Sequence, residues 1–254
     1  MSVSEVTGAD ETLDSIGTSG VRVLQRRGGY RFTLDAVLLA HFAATEGTRG
    51  AVLELGAGSG VVSFLLVKQF GLERVDALEL QPAVHSRMLR AVALNGCEGR
   101  VNPLLGDLRE ARTLLPSGAY GHVVSNPPFR KAEAGVRSPD DERAISKSEQ
   151  ACDAPAVVAA ARHALMPGGG VSLVYPAARV AEVLELLMRA RLFPRALRFV
   201  HSRVEEPATR FLVHAVRDKD RGLLVRAPLI VHGEGPGGYA PEVAALMDAP
   251  LAEQ

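Results

Sequence analysis

Short apolar runs alternate with segments of helical periodicity along most of this chain, and that alternation leaves few possible folds. It is clearest where the strand-like run 51–55 breaks into Gly56-Ala57-Gly58-Ser59-Gly60 and a helical segment, 61–70, follows. Strands that alternate with helices indicate a parallel sheet with helices on both faces. We therefore predict an α/β fold whose mostly parallel sheet ends in antiparallel strands near the C-terminus.

The flanking sequence and composition suggest one domain. Residues 1–17 are acidic and polar, so we predict a disordered N-terminal tail followed by a single domain over 18–254. Cys97 and Cys152 lie far apart without histidines at ligand spacing, so we expect neither a disulfide nor a metal site. No apolar run reaches about 18 residues and no signal peptide precedes the domain, so we expect a cytoplasmic protein without membrane contact. The oligomeric state stays open.

The glycine loop suggests a cofactor. Gly56, Gly58 and Gly60 follow a strand that ends in Leu53-Glu54-Leu55, and their GxGxG spacing differs from the GxGxxG of dinucleotide enzymes. Glu54 would repel a pyrophosphate but can orient an ammonium group, directly or through water. This pattern favours a cofactor of the methyltransferase type, with a tight turn as the structural alternative.

Carboxylates also mark the ends of the next two strands. Glu79 stands about 20 residues beyond the loop, where a carboxylate can accept both hydroxyls of a ribose. Asp107 follows the third strand and can accept from an adenine amino group, with Leu108 offering its backbone. The structural alternatives are an exposed strand end for Glu79 and a helix N-cap for Asp107. Taken together and in this order, these residues predict cofactor binding.

The tetrapeptide Asn126-Pro127-Pro128-Phe129 follows a fourth apolar strand. Proline has no N–H, so the side-chain carbonyl of Asn126 and the backbone carbonyl of Pro127 are available to a planar amino group. Phe129 offers a face on which a heterocycle can stack. The motif predicts methylation of an exocyclic or amide nitrogen, with a simple turn as the structural alternative.

GAGSG, LELQ, GDL and NPPF, in that order, resemble the class I S-adenosylmethionine-dependent methyltransferases that act on amino groups. More narrowly, the segment 29–39 (GYRFTLDAVLL) resembles bacterial tRNA adenine-N6 methyltransferases that modify position 37, beside the anticodon, of tRNA1(Val). The resemblance covers about 21–247 and implies a Rossmann-like, seven-stranded sheet. It implies substrate contacts by Asn126, Pro127 and Phe129, and cofactor contacts by Glu54, Gly56, Gly58, Glu79, Asp107 and Leu108. We add Gly60, Leu80 and Asn126 to the expected cofactor site.

Thr33 immediately precedes a predicted helix, and Asp35 lies in its first turn. Thr33 is positioned to cap that helix or to bond the carboxylate of the cofactor, and Asp35 favours the helix dipole. In the related enzymes a segment here covers the methionyl group, so the resemblance adds both residues to the expected cofactor site.

Two groups of basic residues suggest an RNA partner. The segment 187–226 holds ten Arg or Lys residues against four acids, and a second group lies in 22–31. Both can follow phosphates, so we expect the anticodon loop of tRNA to bind there. The polar stretch 130–150 is either a mobile lid or partly helical. The alternatives are an rRNA guanine-N2 methyltransferase, a protein glutamine N5-methyltransferase and a non-enzymatic RNA scaffold that binds S-adenosylmethionine.

Overall fold

The structure, a computed structural model, describes residues 7–29, 31–127, 153–233 and 238–248. Its strands are β1 (Glu11–Ile16), β2 (Val21–Arg26), β3 (Val52–Leu55), β4 (Val75–Glu79), β5 (Val101–Leu105), β6 (Tyr120–Ser125), β7 (Leu165–Pro176), β8 (Leu192–His201), β9 (Ala208–Arg217), β10 (Leu224–Val225) and β11 (Leu229–Ile230). Its helices are α1 (Leu34–Thr45), α2 (Val61–Lys68), α3 (Pro82–Leu94), α4 (Ala111–Leu114), α5 (Ala154–Ala164), α6 (Val180–Arg189) and α7 (Pro241–Met247). Within these ranges no helix is both long and apolar enough to span a bilayer.

The main sheet has the strand order β8-β9-β7-β6-β3-β4-β5, and the two-residue strands β10 and β11 both pair with β8. Strands β3 to β7 run parallel to their neighbours among themselves, whereas β9 is antiparallel to both β7 and β8. This confirms the predicted α/β fold with a mostly parallel sheet and an antiparallel C-terminal part. The carboxyl ends of the parallel strands therefore share one edge, called here the carboxyl edge.

Apolar layers cover both faces of the sheet. Helices α1, α2 and α3 pack on one face, and α4, α5 and α6 pack on the other. All four residues of β3 are buried, which explains why its sequence is apolar without the alternation of a half-exposed strand. The exception is Glu54, a carboxyl group in the middle of the core.

The prediction of a disordered tail is wrong for Glu11–Ile16, which pairs with β2 as an antiparallel hairpin. The carboxylate of Glu11 binds the guanidinium of Arg90 on α3 at 2.5 Å. The side chain of Asn95 accepts from the backbone N–H of Arg22 at 2.9 Å and donates to its carbonyl at 2.7 Å. The acidic composition misled the prediction because the cation and the packing surface come from α3, about 80 residues further along the chain.

Buried histidines join the central strands away from the carboxyl edge. His122 Nε2 lies 3.0 Å from Ser172 Oγ, which lies 3.1 Å from His214 Nδ1. Burial lowers the pKa of His122 well below its ordinary value and that of His214 to about 4. Both imidazoles are therefore neutral at pH 7, and they link β6, β7 and β9.

Candidate active site

A pocket opens at the carboxyl edge, around the loops that follow β3 and β4. The residues predicted from the sequence that line it are Thr33, Glu54, Gly56, Gly58, Glu79, Leu80, Leu108 and Asn126. They come from segments up to about 90 residues apart in sequence. The parallel sheet brings them together because it places the ends of β3, β4 and β6 at the same edge.

The glycine loop shapes the floor of this pocket. The backbone N–H of Gly56 donates to Leu78 O at 2.9 Å, so the loop turns toward the end of β4. Gly56 and Gly58 have φ values of 71° and 56°, and a Cβ at either position would meet nothing within 4 Å. Gly60 has a different role, since a Cβ there would come within 2.8 Å of the Phe64 ring. Gly60 therefore permits packing of α2, and it lies outside the pocket lining.

Glu79 connects the glycine loop to the end of β4. Its Oε2 accepts from the N–H of Gly58 and its Oε1 from the N–H of Gln81, both at 2.8 Å. Burial raises the pKa of Glu79, while these N–H groups oppose that rise. Each carboxylate oxygen has more than one acceptor site, so the group can also accept ribose hydroxyls.

Glu54 is a buried carboxyl group beneath the loop. Its Oε2 accepts from the backbone N–H of Ser63 at 3.0 Å and from the Ser63 hydroxyl. Burial raises the pKa of Glu54 to about 8, and the nearby charge of Glu79 adds to the rise. At pH 7 the free protein therefore holds Glu54 mostly protonated, and a cation in the pocket would favour its ionised form.

This protonation state predicts that a cationic cofactor binds more tightly as the pH rises. With its pKa at about 8, Glu54 of the free protein is mostly protonated between pH 6 and 8, so cofactor binding has to release this proton. The dissociation constant of S-adenosylmethionine should therefore fall by up to about tenfold per pH unit up to about pH 8, then level off. Calorimetry in buffers of different ionisation enthalpy would detect the released proton. Glu54→Gln provides the control, because the cofactor's own amino group still titrates in that variant. An equal pH dependence in both proteins would contradict this role.

Thr33 and Asp35 lie in different environments. Thr33 occupies the N-cap position of α1 without a side-chain capping hydrogen bond, and it lines the pocket. Asp35 forms an ion pair with Arg210 of β9, with Oδ2 3.1 Å from Nε, and it lies outside the lining. Arg210 is 175 residues away, so no local pattern indicates this pairing.

Asp107 adopts the structural alternative that the sequence left open. Its Oδ1 accepts from the backbone N–H of Arg109 at 2.9 Å and caps the turn Leu108–Glu110. The Arg109 guanidinium also binds this carboxylate and lowers the pKa of Asp107. Asp107 lies outside the pocket lining, whereas the buried side chain of Leu108 contributes to it.

The end of β6 presents Asn126 to the pocket. Ser125 Oγ donates to Leu55 O at 2.7 Å, which fixes this strand end against β3. Asn126 is half-buried and lines the pocket, and Pro127 is buried beside it. Phe129 and the segment 130–150 lie outside the described residues.

The pocket also contains residues that the sequence interpretation missed. Leu24, Gln25 and Arg26 of β2 line it, so the N-terminal hairpin forms one wall. Arg87 lines it from α3, although only 7% of its surface is exposed. The sequence position of Arg87 could have indicated its burial, because it lies on the apolar face of α3, three residues after Val84. The hairpin is harder to predict, because 21–25 has the pattern of a short strand but its partner β1 lies in the residues that were expected to form a tail.

The pocket suits the parts of S-adenosylmethionine. Open space above Gly56 and Gly58 admits a group close to the backbone, Glu54 is a buried carboxyl group for a cationic end, and Glu79 suits a ribose. Leu80 and Leu108 offer apolar walls to a base. Among the described residues no cluster of His, Cys, Asp and Glu could hold a metal ion.

Comparisons with known proteins agree with this geometry. The model of the methyltransferase small domain family matches residues 34–191. A tRNA1(Val) (adenine(37)-N6)-methyltransferase of Porphyromonas gingivalis is 26% identical over 86% of this chain and 87% of its own length. A protein of the same name from Shewanella loihica is 25% identical over 87% of this chain and 92% of its own. The crystal structure of a protein from Agrobacterium tumefaciens, described as a predicted O-methyltransferase, superposes with a TM-score of 0.66 at 24% identity, covering 85% of this chain and 97% of its own.

Proposed function

This chain belongs to the methyltransferase small domain family, and on that premise we propose that it methylates the exocyclic N6 amine of an adenine in tRNA, at position 37 of tRNA1(Val). The methyl donor is S-adenosylmethionine. The observation that carries the proposal is the shared pocket of Asn126, the Gly56 and Gly58 loop, and Glu79. The substrate is inferred from the names of the two relatives, whose alignments cover 86% and 87% of this chain.

Asn126 and Pro127 would hold the target amine. An adenine amino group is a weak nucleophile because its lone pair is delocalised into the ring. The side-chain carbonyl of Asn126 and the backbone carbonyl of Pro127 would accept its two hydrogens, which orients the lone pair and favours a pyramidal nitrogen. Among the described residues that line the pocket there is no histidine, and we infer that positioning of the amine supplies most of the catalysis.

The bound cofactor supplies a sulfonium methyl group, whose carbon–sulfur bond breaks as the new carbon–nitrogen bond forms. Glu79 would accept its ribose hydroxyls, and Glu54 would face its cationic end. The methylated nitrogen carries a positive charge and loses one proton to water. Because the target base has to leave its stack to reach Asn126, a single-stranded loop suits this pocket better than a duplex.

Ion pairs in the folded protein reduce the positive charge that the sequence predicts for the RNA-binding surface. Six of the ten basic residues in 187–226 form ion pairs with carboxylates, namely Arg189, Arg191, Arg198, Arg210, Arg217 and Arg226. In the second group, Arg26 and Arg31 pair with Asp10 and Asp14. Binding of the anticodon loop therefore depends on a few cations and on contacts to bases.

Methyl transfer to fractionated substrates tests this function. The protein is incubated with methyl-labelled S-adenosylmethionine and unmodified tRNA, rRNA or protein, and the RNA is then digested for nucleoside mass spectrometry. We expect N6-methyladenine in tRNA, at position 37 of tRNA1(Val). N2-methylguanine in rRNA would assign the guanine alternative, and label in protein alone would contradict any RNA substrate. Cofactor binding without transfer to any fraction would indicate the scaffold.

A further inference from the structure

Two aromatic rings stack just beyond β11. The ring centroids of His232 and Tyr239 are 5.9 Å apart and their planes differ by 14°. The two residues also form an isolated antiparallel bridge, and the Ala240 N–H donates to Val231 O at 2.9 Å. Tyr239 is nevertheless 46% exposed. The stack is therefore anchored by its backbone and accessible to a ligand.

This stacking pair, His232 and Tyr239, lies at the carboxyl edge. The His232 N–H donates to Ser202 O at 3.0 Å, directly beyond the end of β8. β8 runs in the same direction as β6, because β9 is antiparallel to both β8 and β7. β11, which precedes the pair, is parallel to β8 and lies four strand spacings from β6, about 19 Å in total. The pair and Asn126 are thus at the same edge, within reach of one short RNA strand.

A cation lies next to the stacking pair. Arg203 Nη1 donates to Gly233 O at 3.2 Å. This carbonyl positions the guanidinium without neutralising its charge. Arg210, at the start of β9 between this site and the pocket, is paired with Asp35. Glu205 and Glu206 are exposed in the turn after Arg203, so the surface has mixed charge. Stacking on flat rings would therefore contribute more than charge to the recognition of a ligand bound here.

We propose that His232 and Tyr239 form a platform on which a base a few nucleotides from the target stacks, with Arg203 binding an adjacent phosphate. This inference rests on the proposed function, because it assumes an RNA substrate whose target base enters the pocket at Asn126. Unpaired bases commonly stack on aromatic side chains, and each stacked base contributes roughly 10- to 100-fold in affinity. The platform would supply affinity that the ion-paired arginines cannot.

Replacing Tyr239 tests the platform with an anticodon stem-loop RNA. Tyr239→Ala should raise the KM for this RNA about tenfold or more, while kcat and the cofactor dissociation constant stay within about twofold. Tyr239→Phe keeps the ring and should behave like the wild type. Leu89→Ala, at an exposed apolar position on α3, is the matched control. If thermal unfolding shows that Tyr239→Ala destabilises the fold, His232→Gln serves as the second variant.

Direct binding separates this inference from the proposed function. Fluorescence anisotropy follows the labelled stem-loop with each variant, independently of methyl transfer. RNA bound by the wild type but weakly by Tyr239→Ala supports the platform even if no methylation occurs, in which case only the proposed function fails. Equal affinity of the wild type, Tyr239→Ala and His232→Gln overturns the platform even if the RNA is methylated. Absence of binding by the wild type overturns both. Arg203→Ala should also lower the salt dependence of RNA binding, by the amount expected for the loss of about one phosphate contact.

Discussion

Replacing Asn126 by alanine is expected to lower the kcat of methyl transfer by at least about 100-fold and to leave cofactor affinity within about threefold. The large effect follows from the chemistry of an exocyclic amine, which needs an acceptor to orient its lone pair, and loss of such positioning commonly costs two to three orders of magnitude. Asn126 also lines the pocket, so a small change in cofactor affinity is expected. Single-turnover kinetics with saturating cofactor measure the chemical step directly.

Asn102→Ala serves as the control for that experiment. Asn102 is an exposed amide on β5 that donates to Asp76 Oδ1 at 3.1 Å, away from the pocket lining. Its replacement should leave turnover within about twofold, as expected for a surface substitution. Full turnover by Asn126→Ala would reject the catalytic assignment, whatever substrate the protein uses.

Replacing Glu79 by alanine should weaken S-adenosylmethionine binding by roughly 100-fold or more. Hydrogen bonds to a charged group contribute about 1.5–3 kcal/mol each, and the proposed ribose contact uses two of them. The same carboxylate accepts from the N–H groups of Gly58 and Gln81 at 2.8 Å, so its loss also loosens the glycine loop. Calorimetric titration of the variant with the cofactor gives the dissociation constant.

Two comparisons make the Glu79 result specific. Glu73→Ala removes an exposed acid just before β4 and should bind the cofactor like the wild type. A ribose-free analogue such as methionine should lose much less affinity in the Glu79→Ala variant than S-adenosylmethionine does, because it feels only the loosened loop and makes no hydroxyl contact. If the Glu79→Ala variant bound S-adenosylmethionine with wild-type affinity, the ribose assignment would be incorrect.

Several structural features were predictable because their signals are local. The run 51–55, the glycines after it and the acidic strand ends are short patterns, and a parallel sheet brings successive strand ends to one edge. The sequence thus predicted the fold and eight of the residues that line the pocket. Gly60 also followed the pattern, but the structure gives it a packing role against Phe64.

The features that the sequence did not predict depend on partners far along the chain. Glu11 pairs with Arg90 and Asp35 pairs with Arg210, so part of an apparent tail became a strand of the N-terminal hairpin and a candidate cofactor ligand became part of an ion pair. Remote partners also reduce the basic surface of 187–226, because Arg198, Arg210 and Arg226 pair with carboxylates outside that segment.

The sequence by itself determined the alternating fold, the glycine loop and the Asn126 motif, because each depends on neighbours within a few residues. Only the tertiary structure decided that Glu54 is mostly protonated at pH 7 in the free protein, since burial beneath the loop raises its pKa to about 8. It alone also brought His232 and Tyr239 to the same edge as Asn126. Burial and distance between remote residues arise from packing of the whole chain, and no local pattern encodes them.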